Sequence, residues 1–229
     1  MKIMIINPNT TETFTKGIEQ ACLPFIHPKT ELVVTNPKQG VRSIEGAYDG
    51  IQASFFTLQL IKESHDIDAF VIACFDDTGL DAAREVTSVP VIGIGEAALH
   101  AASFISRKYS VLTTMQRSVN ILKENAERYG LDKNCVGIHA ANLPVLALED
   151  SDNALNIIYE KAKMILEKDQ SECLILGCGG MSGWASQLSE RLNVPVVDGV
   201  IAGMKFAESL VEMNLSTSKA ISYDFPREK

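Results

Sequence analysis

"DAFVIACFDDTGLDAAREV", residues 68–86, decides the fold. It opens on an uninterrupted aliphatic run and closes on a helix-like spacing of apolar residues. A cysteine and two aspartates stand at the join. Apolar runs without in-out alternation mark parallel strands covered on both faces. A strand that gives way to a helix within a few residues is one step of a βα alternation, which predicts an α/β architecture. "ECLILGCGGMSGWASQLSERL" at 172–192 repeats the same design, again with a cysteine where the strand ends.

Working outward, the aliphatic runs are "KIMII" (2–6), "ELVVT" (31–35), "AFVIA" (69–73), "PVIGI" (90–94), "YSVLT" (109–113), "VGIHA" (136–140), "CLILG" (173–177) and "VPVVD" (194–198). Amphipathic stretches lie between them, such as 116–129, which stops at Gly130 in the manner of a helix C-terminus. The order repeats. "KIMIINPNT" overlays "KYSVLTTMQ" at an offset of 106 (Lys2 to Lys108), Cys74 overlays Cys178 at 104, and "VPVIG" at 89–93 overlays "VPVVD" at 194–198 at 105. The spacing therefore predicts two pseudo-symmetric halves, each a four-stranded parallel sheet with flanking helices and with a cleft between them. Residues 1–100 and a C-terminal helix over about 205–229 are expected to form the first half, and 101–204 the second.

The 229 residues carry 46% hydrophobic and 22% charged side chains, as globular chains do. A net charge of −8 with dispersed Lys and Arg excludes a nucleic-acid footprint, and no apolar run is long enough to span a bilayer. The five cysteines lack regular spacing, and "MKIMIINPNT" reads as a strand rather than an export signal, which points to reduced thiols and a cytoplasmic location. Four scattered histidines and no CxxC or HExxH predict no metal site.

Ligands of open parallel sheets bind beyond the carboxyl ends of the strands. There the sequence places Asn7 and Asn9, Cys74, Gly93 and Gly95, and in the second half Thr113 and Thr114, Cys178, Asp198 and Gly199. A helix start is expected directly after each cysteine, with Thr78 and Asp81 in capping-box spacing and Asp76 and Asp77 also placed to cap. Helix N-termini lower a thiol's pKa, so reactive thiolates are expected. Gly179 and Gly180 let backbone N–H groups approach a ligand closely. Two such cysteines, one per half and related by an approximate twofold, are expected to face each other across the cleft. Inverting a stereocentre by proton transfer needs an acid on one face and a base on the other, and a thiol and thiolate pair meets that need symmetrically. Cys22, Cys135 and Cys173 read as small core hydrophobes, and Glu96, His100 and Arg117 as helix-face residues.

The stretches "INPNT" (6–10), "SIEGAYDG" (43–50), "FVIACFDDTGLDAAREV" (70–86), "PVIGIGEAALHAA" (90–102), "LPVLALED" (143–150), "LGCGGM" (176–181) and "VPVVDGVIAGMKFAESLV" (194–211) resemble the aspartate/glutamate/hydantoin racemase superfamily, the hydantoin branch above all. Thr78 departs from the proline usual in that motif, which bears on substrate preference. The resemblance implies a cofactor-independent isomerase with Cys74 and Cys178 as the acid/base pair. Asn7, the backbone around Phe75, Asp76, Gly179 and Gly180, and Thr113 or Thr114 would hold the ring of a 5-monosubstituted hydantoin. Phe75 and Ile44 are expected to line an apolar pocket for its substituent. A homo-oligomer is also implied. Three other readings stay open: an allantoin racemase, an amino-acid racemase, and a redox dithiol or small-ligand-binding protein. The amino-acid reading sits awkwardly with Asp76 and Asp77 beside the first cysteine.

Overall fold

All eight apolar runs form strands: β1 (Lys2–Ile6), β2 (Glu31–Thr35), β3 (Ala69–Ile72), β4 (Val91–Gly93), β5 (Tyr109–Thr113), β6 (Cys135–Ala140), β7 (Cys173–Leu176) and β8 (Val196–Asp198). Helices alternate with them: α1 (Glu12–Cys22), α2 (Ala47–Glu63), α3 (Leu80–Val86), α4 (Ile94–Ile105), α5 (Val119–Arg128), α6 (Ser151–Asp169), α7 (Ala185–Leu192) and α8 (Gly199–Glu212). The structure is a computed structural model and describes residues 1–227. α5 ends as its sequence predicts, with Gly130 at φ +70° just beyond it.

The strands assemble into two parallel sheets of identical order, β2-β1-β3-β4 and β6-β5-β7-β8. The registers match as well, Ile3 pairing with Ala69 as Tyr109 pairs with Cys173, and Ile72 pairing with Gly93 as Leu176 pairs with Asp198. Each sheet changes winding direction beside its first strand in sequence, between β1 and β3 and again between β5 and β7.

Because both faces of these strands are covered, successive residues enter different cores. Ile3, Ile5, Val71, Tyr109, Val111 and Ile175 point into one central core shared by both sheets. Ile6, Phe70 and Ile72 pack outward in the first half, and Leu112, Leu174 and Leu176 outward in the second. The helices after β4 and β8 are exchanged between the halves. α4 packs on β7 and β8, α8 packs on β3, β4 and β1, and the two helices pack on each other. Gly199 makes this crossing possible, since any Cβ there would come within 2.6 Å of the Ile94 carbonyl oxygen.

The C-terminal helix differs from its expected span of 205–229. α8 begins at Gly199 and stops at Glu212, and the chain to 227 is irregular, with residues 228 and 229 outside the described residues. Leu210 and Val211 still pack against the central core, but the chain then turns at Asn214 (φ +53°) into the polar stretch 216–219, so no apolar stripe extends the helix. The tail instead bonds along the first half, Thr217 donating to Ser88 and Val89 carbonyls and Lys219 Nζ to those of Arg84 and Glu85. No helix among the described residues is long and apolar enough to cross a membrane.

Candidate active site

The two cysteine loops leave their sheets in the same way. Past the end of β3 the Ala73 N–H donates to the Ile6 carbonyl (2.8 Å), and past β7 the Gly177 N–H donates to that of Leu112 (2.9 Å). One residue later comes the cysteine, and each cysteine opens a tight turn. The Asp77 N–H returns to the Cys74 carbonyl (3.0 Å), as the Met181 N–H returns to that of Cys178 (3.1 Å). The N–H groups inside the first turn, of Phe75 and Asp76, donate to no protein acceptor among the described residues. In the second turn the Gly180 N–H lies against the Cys178 sulfur. Such clustered, unpaired donors suit a developing oxyanion.

The loops meet. A Cβ on Gly179 would collide with the Ala73 carbonyl oxygen, so only glycine lets the residue after Cys178 touch the residue before Cys74. Both thiols are free and half-buried, and Cys178 acts electrostatically on Cys74. The other three cysteines are elsewhere: Cys22 and Cys173 lie within the central core and Cys135 packs against it.

The thiols' ionisation runs against the sequence-based expectation. Burial holds the Cys74 thiol well above its ordinary value, and the neighbouring Asp76 carboxylate adds to the effect, with Cys178 contributing in the same direction and the Thr78 hydroxyl opposing. Burial likewise pushes Cys178 up to about 11, the Gly180 N–H lowering it and the charges of Asp76 and Glu45 raising it. The expected helix start is also absent after Cys74. α3 begins only at Leu80, and Cys178 is followed by a single 3-10 turn, Gly179–Met181. The capping box does not form either: the Thr78 hydroxyl donates to Asp76, and the cap position is taken by Gly79 in the left-handed region.

The other anticipated residues divide. Asn7 is buried at the β1–α1 turn, its amide nitrogen donating to Asn9 Oδ1 (3.1 Å), Thr15 Oγ1 (3.1 Å) and the Thr11 carbonyl (3.3 Å). The Thr113 hydroxyl donates to the Gly177 carbonyl (2.8 Å) and braces the second cysteine loop, while Thr114 lies buried beside it. The Phe75 ring is buried in the central core, so packing takes up the apolar surface expected to line a pocket. Ile44 is half-buried in a segment that spans the two halves. Thr10 and Thr11 donate to the carbonyls of Val41 and Arg42 on one side, while Ser118 Oγ donates to the Glu45 carbonyl and the Val145 N–H to Glu45 Oε1 on the other.

Glu45, which brings a second carboxylate to the site, went unnoticed in the sequence although it falls within the 43–50 stretch. A cavity of about 220 Å³ borders Gly179 and Gly180; Phe14, Leu148 and Trp184 give it an apolar side, Thr13, Glu149, Ser151 and Ser182 a polar one, and neither cysteine lines it. Thr13 Oγ1 donates to Glu149 Oε1 (2.7 Å) across that cavity and so also ties the halves together. No group of three or more potential metal ligands occurs among the described residues.

Residues 3–207 match the family described as Asp/Glu/Hydantoin racemase. The chain is 41% identical over 232 residues to the hydantoin racemase of Pseudomonas sp. (strain NS671), covering 100% of this chain and 93% of that one. It superposes on the allantoin racemase from Klebsiella pneumoniae with a TM-score of 0.97 at 42% identity, covering 100% and 95% of the two chains. For the allantoin racemase from Pseudomonas fluorescens the TM-score is 0.96 at 36% identity, with 100% and 98% covered. With a duplicated sheet, paired cysteine turns and kinship along nearly its whole length, the chain belongs to the Asp/Glu/hydantoin racemase family.

Proposed function

We propose that this racemase inverts C5 of 5-substituted hydantoins, with Cys74 and Cys178 as acid and base on opposite faces of the ring. The observation that supports the reading is the contact of the two cysteine turns, Gly179 against Ala73, together with the electrostatic action of Cys178 on Cys74. In each turnover the thiolate of one cysteine removes the C5 proton and becomes a thiol. The electron pair passes into the ring as an enolate whose charge rests largely on the C4 oxygen. The opposite cysteine then gives its proton to the other face of C5 and becomes the thiolate. The site finishes with the two protonation states exchanged, ready for the other enantiomer.

Burial raises both thiols, and a thiolate of higher pKa is a stronger base toward a weakly acidic C–H bond. The unpaired N–H groups of Phe75 and Asp76 and the glycine turn at 179–180 are the donors proposed for the enolate oxygen. Removing one such donor costs about 3 kcal/mol of barrier. Water must be kept out so that the opposite cysteine, and not solvent, returns the proton. The segment 41–45, bonded to Thr10 and Thr11 of the first half and to Ser118 and Val145 of the second, is suited to that exclusion.

The C5 substituent has two candidate surroundings. The recess of Phe14, Leu148 and Trp184 fits an apolar group. The carboxylates of Asp76 and Glu45, both close enough to act on Cys178, fit the N–H groups of a ureido substituent, which is the case of allantoin. The likeness to two solved allantoin racemases fits this second reading of the substituent, as the likeness to a hydantoin racemase at similar identity fits the first. The same carboxylates disfavour a free amino acid, whose own carboxylate they would repel. Optical-rotation decay of enantiopure allantoin, 5-benzylhydantoin and 5-isopropylhydantoin separates the readings. Decay of none of them overturns the proposal.

A further inference from the structure

The second half holds its cysteine loop through Asp198. This residue ends β8 and caps α8, its Oδ1 accepting from the N–H groups of Val200 (2.9 Å) and Ile201 (3.3 Å). Its Oδ2 accepts from Ser182 Oγ (2.9 Å) and the Gly183 N–H (2.8 Å), both in the loop that follows Cys178. One carboxylate thus ties the loop to the start of the helix.

In the first half the residue equivalent to Asp198 is Gly93, paired with Ile72 as Asp198 is with Leu176. It has no side chain to offer. The carboxylate comes instead from the other side of the same gap: Asp77, in the Cys74 loop, accepts from the N–H groups of Gly95 and Glu96, each at 2.8 Å. Gly95 and Glu96 correspond to Val200 and Ile201. The Tyr129 hydroxyl adds a third bond at 2.6 Å. A Cβ on Gly93 would fall on the Asp77 carboxylate, so the two carboxylates occupy one volume and exclude each other. Asp77 holds a φ of +54° to reach it, a conformation Asp tolerates better than most side chains.

We infer that Asp77 and Asp198 are equivalent positioning residues, one per half, which moor the Cys74 and Cys178 loops to the crossed helices α4 and α8 from opposite ends of the same contact. Because α4 and α8 pack on each other, these two moorings fix how the cysteine turns face one another. The inference rests on the reading of Cys74 and Cys178 as the acid/base pair.

The duplication supplies a direct test: transplant the carboxylate. Asp77→Gly suits the positive φ and removes the mooring. Gly93→Asp alone forces two carboxylates together. The double variant Asp77→Gly/Gly93→Asp recreates the Asp198 arrangement, with Thr78 and Gly79 placed as Ser182 and Gly183 are. The full-length variants are assayed by polarimetry on allantoin and 5-benzylhydantoin. Iodoacetamide labelling of Cys74 and Cys178 is followed separately by peptide mass spectrometry. Each single variant is expected to lose about 10- to 100-fold in kcat, the scale of a misplaced reacting group, with the double variant restored to within about threefold. Asp77→Gly should change the labelling rate of Cys74 and not of Cys178, and Asp198→Gly the reverse. An Asp77→Gly protein that fails to fold while the double variant is soluble and active supports the mooring equally.

The mooring is overturned if the double variant is no better than the worse single, if both are insoluble, or if either aspartate change alters the two cysteines alike. Labelling needs no turnover. A wild-type protein that racemises neither compound therefore sinks the functional reading while the labelling pattern still decides the mooring.

Discussion

Gly179 lies against the carbonyl oxygen of Ala73, so closely that a methyl group on its Cα could not be accommodated. Each of these positions is the immediate neighbour of a cysteine in the functional reading: Ala73 precedes Cys74 and Gly179 follows Cys178. The contact is backbone to backbone, which leaves no flexible side chain to yield.

Gly179→Ala is therefore expected to push the two cysteine turns apart. Overpacking of this kind costs about 1–3 kcal/mol of stability. Racemisation should fall by about 100-fold, because a displacement near 1 Å at reacting groups has that effect. Thermal denaturation and polarimetry on the purified variant measure the two quantities. Unchanged turnover would show that the turns need not touch.

Cys74→Ser and Cys178→Ser should each reduce racemisation by about 100- to 10,000-fold, the range of one general acid or base. Each variant retains one proton-transfer group, so it should still exchange the C5 hydrogen of one enantiomer with D₂O, and the two variants should prefer opposite enantiomers. Proton NMR of the C5 signal follows this directly. Full activity in either variant removes the two-base assignment.

Asp76 raises both thiols through its charge. Asp76→Asn should accordingly lower both, enlarge the thiolate fraction at pH 8 and speed alkylation of Cys74 and Cys178 severalfold. The acid limb of the pH–rate profile should move to lower pH. A profile that stays in place would mean that Asp76 does not set the ionisation of the pair.

Burial lifts the Asp77 carboxyl from 3.8 to about 7, against the opposing bonds from Tyr129, Gly95 and Glu96. A carboxyl whose pKa rises on folding contributes stability that is whole below its unfolded value and is lost as pH climbs through the folded one. A shift of this size corresponds to about 4 kcal/mol between pH 4 and pH 7. Asp77→Asn, at ease with the same positive φ, should flatten that fall in urea-denaturation midpoints. Equal slopes in both proteins would contradict the direction.

The strands were legible because burial on both faces writes itself into the chain as unbroken aliphatic runs, and all eight runs from "KIMII" to "VPVVD" became strands. The duplication was legible from three offsets near 105, and the sheets have the same order. Thr78 and Asp81 misled, because their spacing fits a capping box while Asp76 stands nearer to the Thr78 hydroxyl. Asp77 does cap a helix, but α4 rather than the adjacent α3, and no local pattern points to a partner at Gly95. Glu45 is far in sequence from Cys178 and acts on it only because its segment folds against the second half at Val145.

The sequence by itself determined the parallel strands, their repetition and the cysteine just beyond the third strand of each half, since these follow from hydrophobic pattern and chain spacing. Only the tertiary structure decided the packing of α4 on the second half, the contact of Gly179 with Ala73 and the direction in which both thiols are shifted. Those depend on desolvation and on charges acting through space, and the distance between two groups in space is not encoded by their separation along the chain.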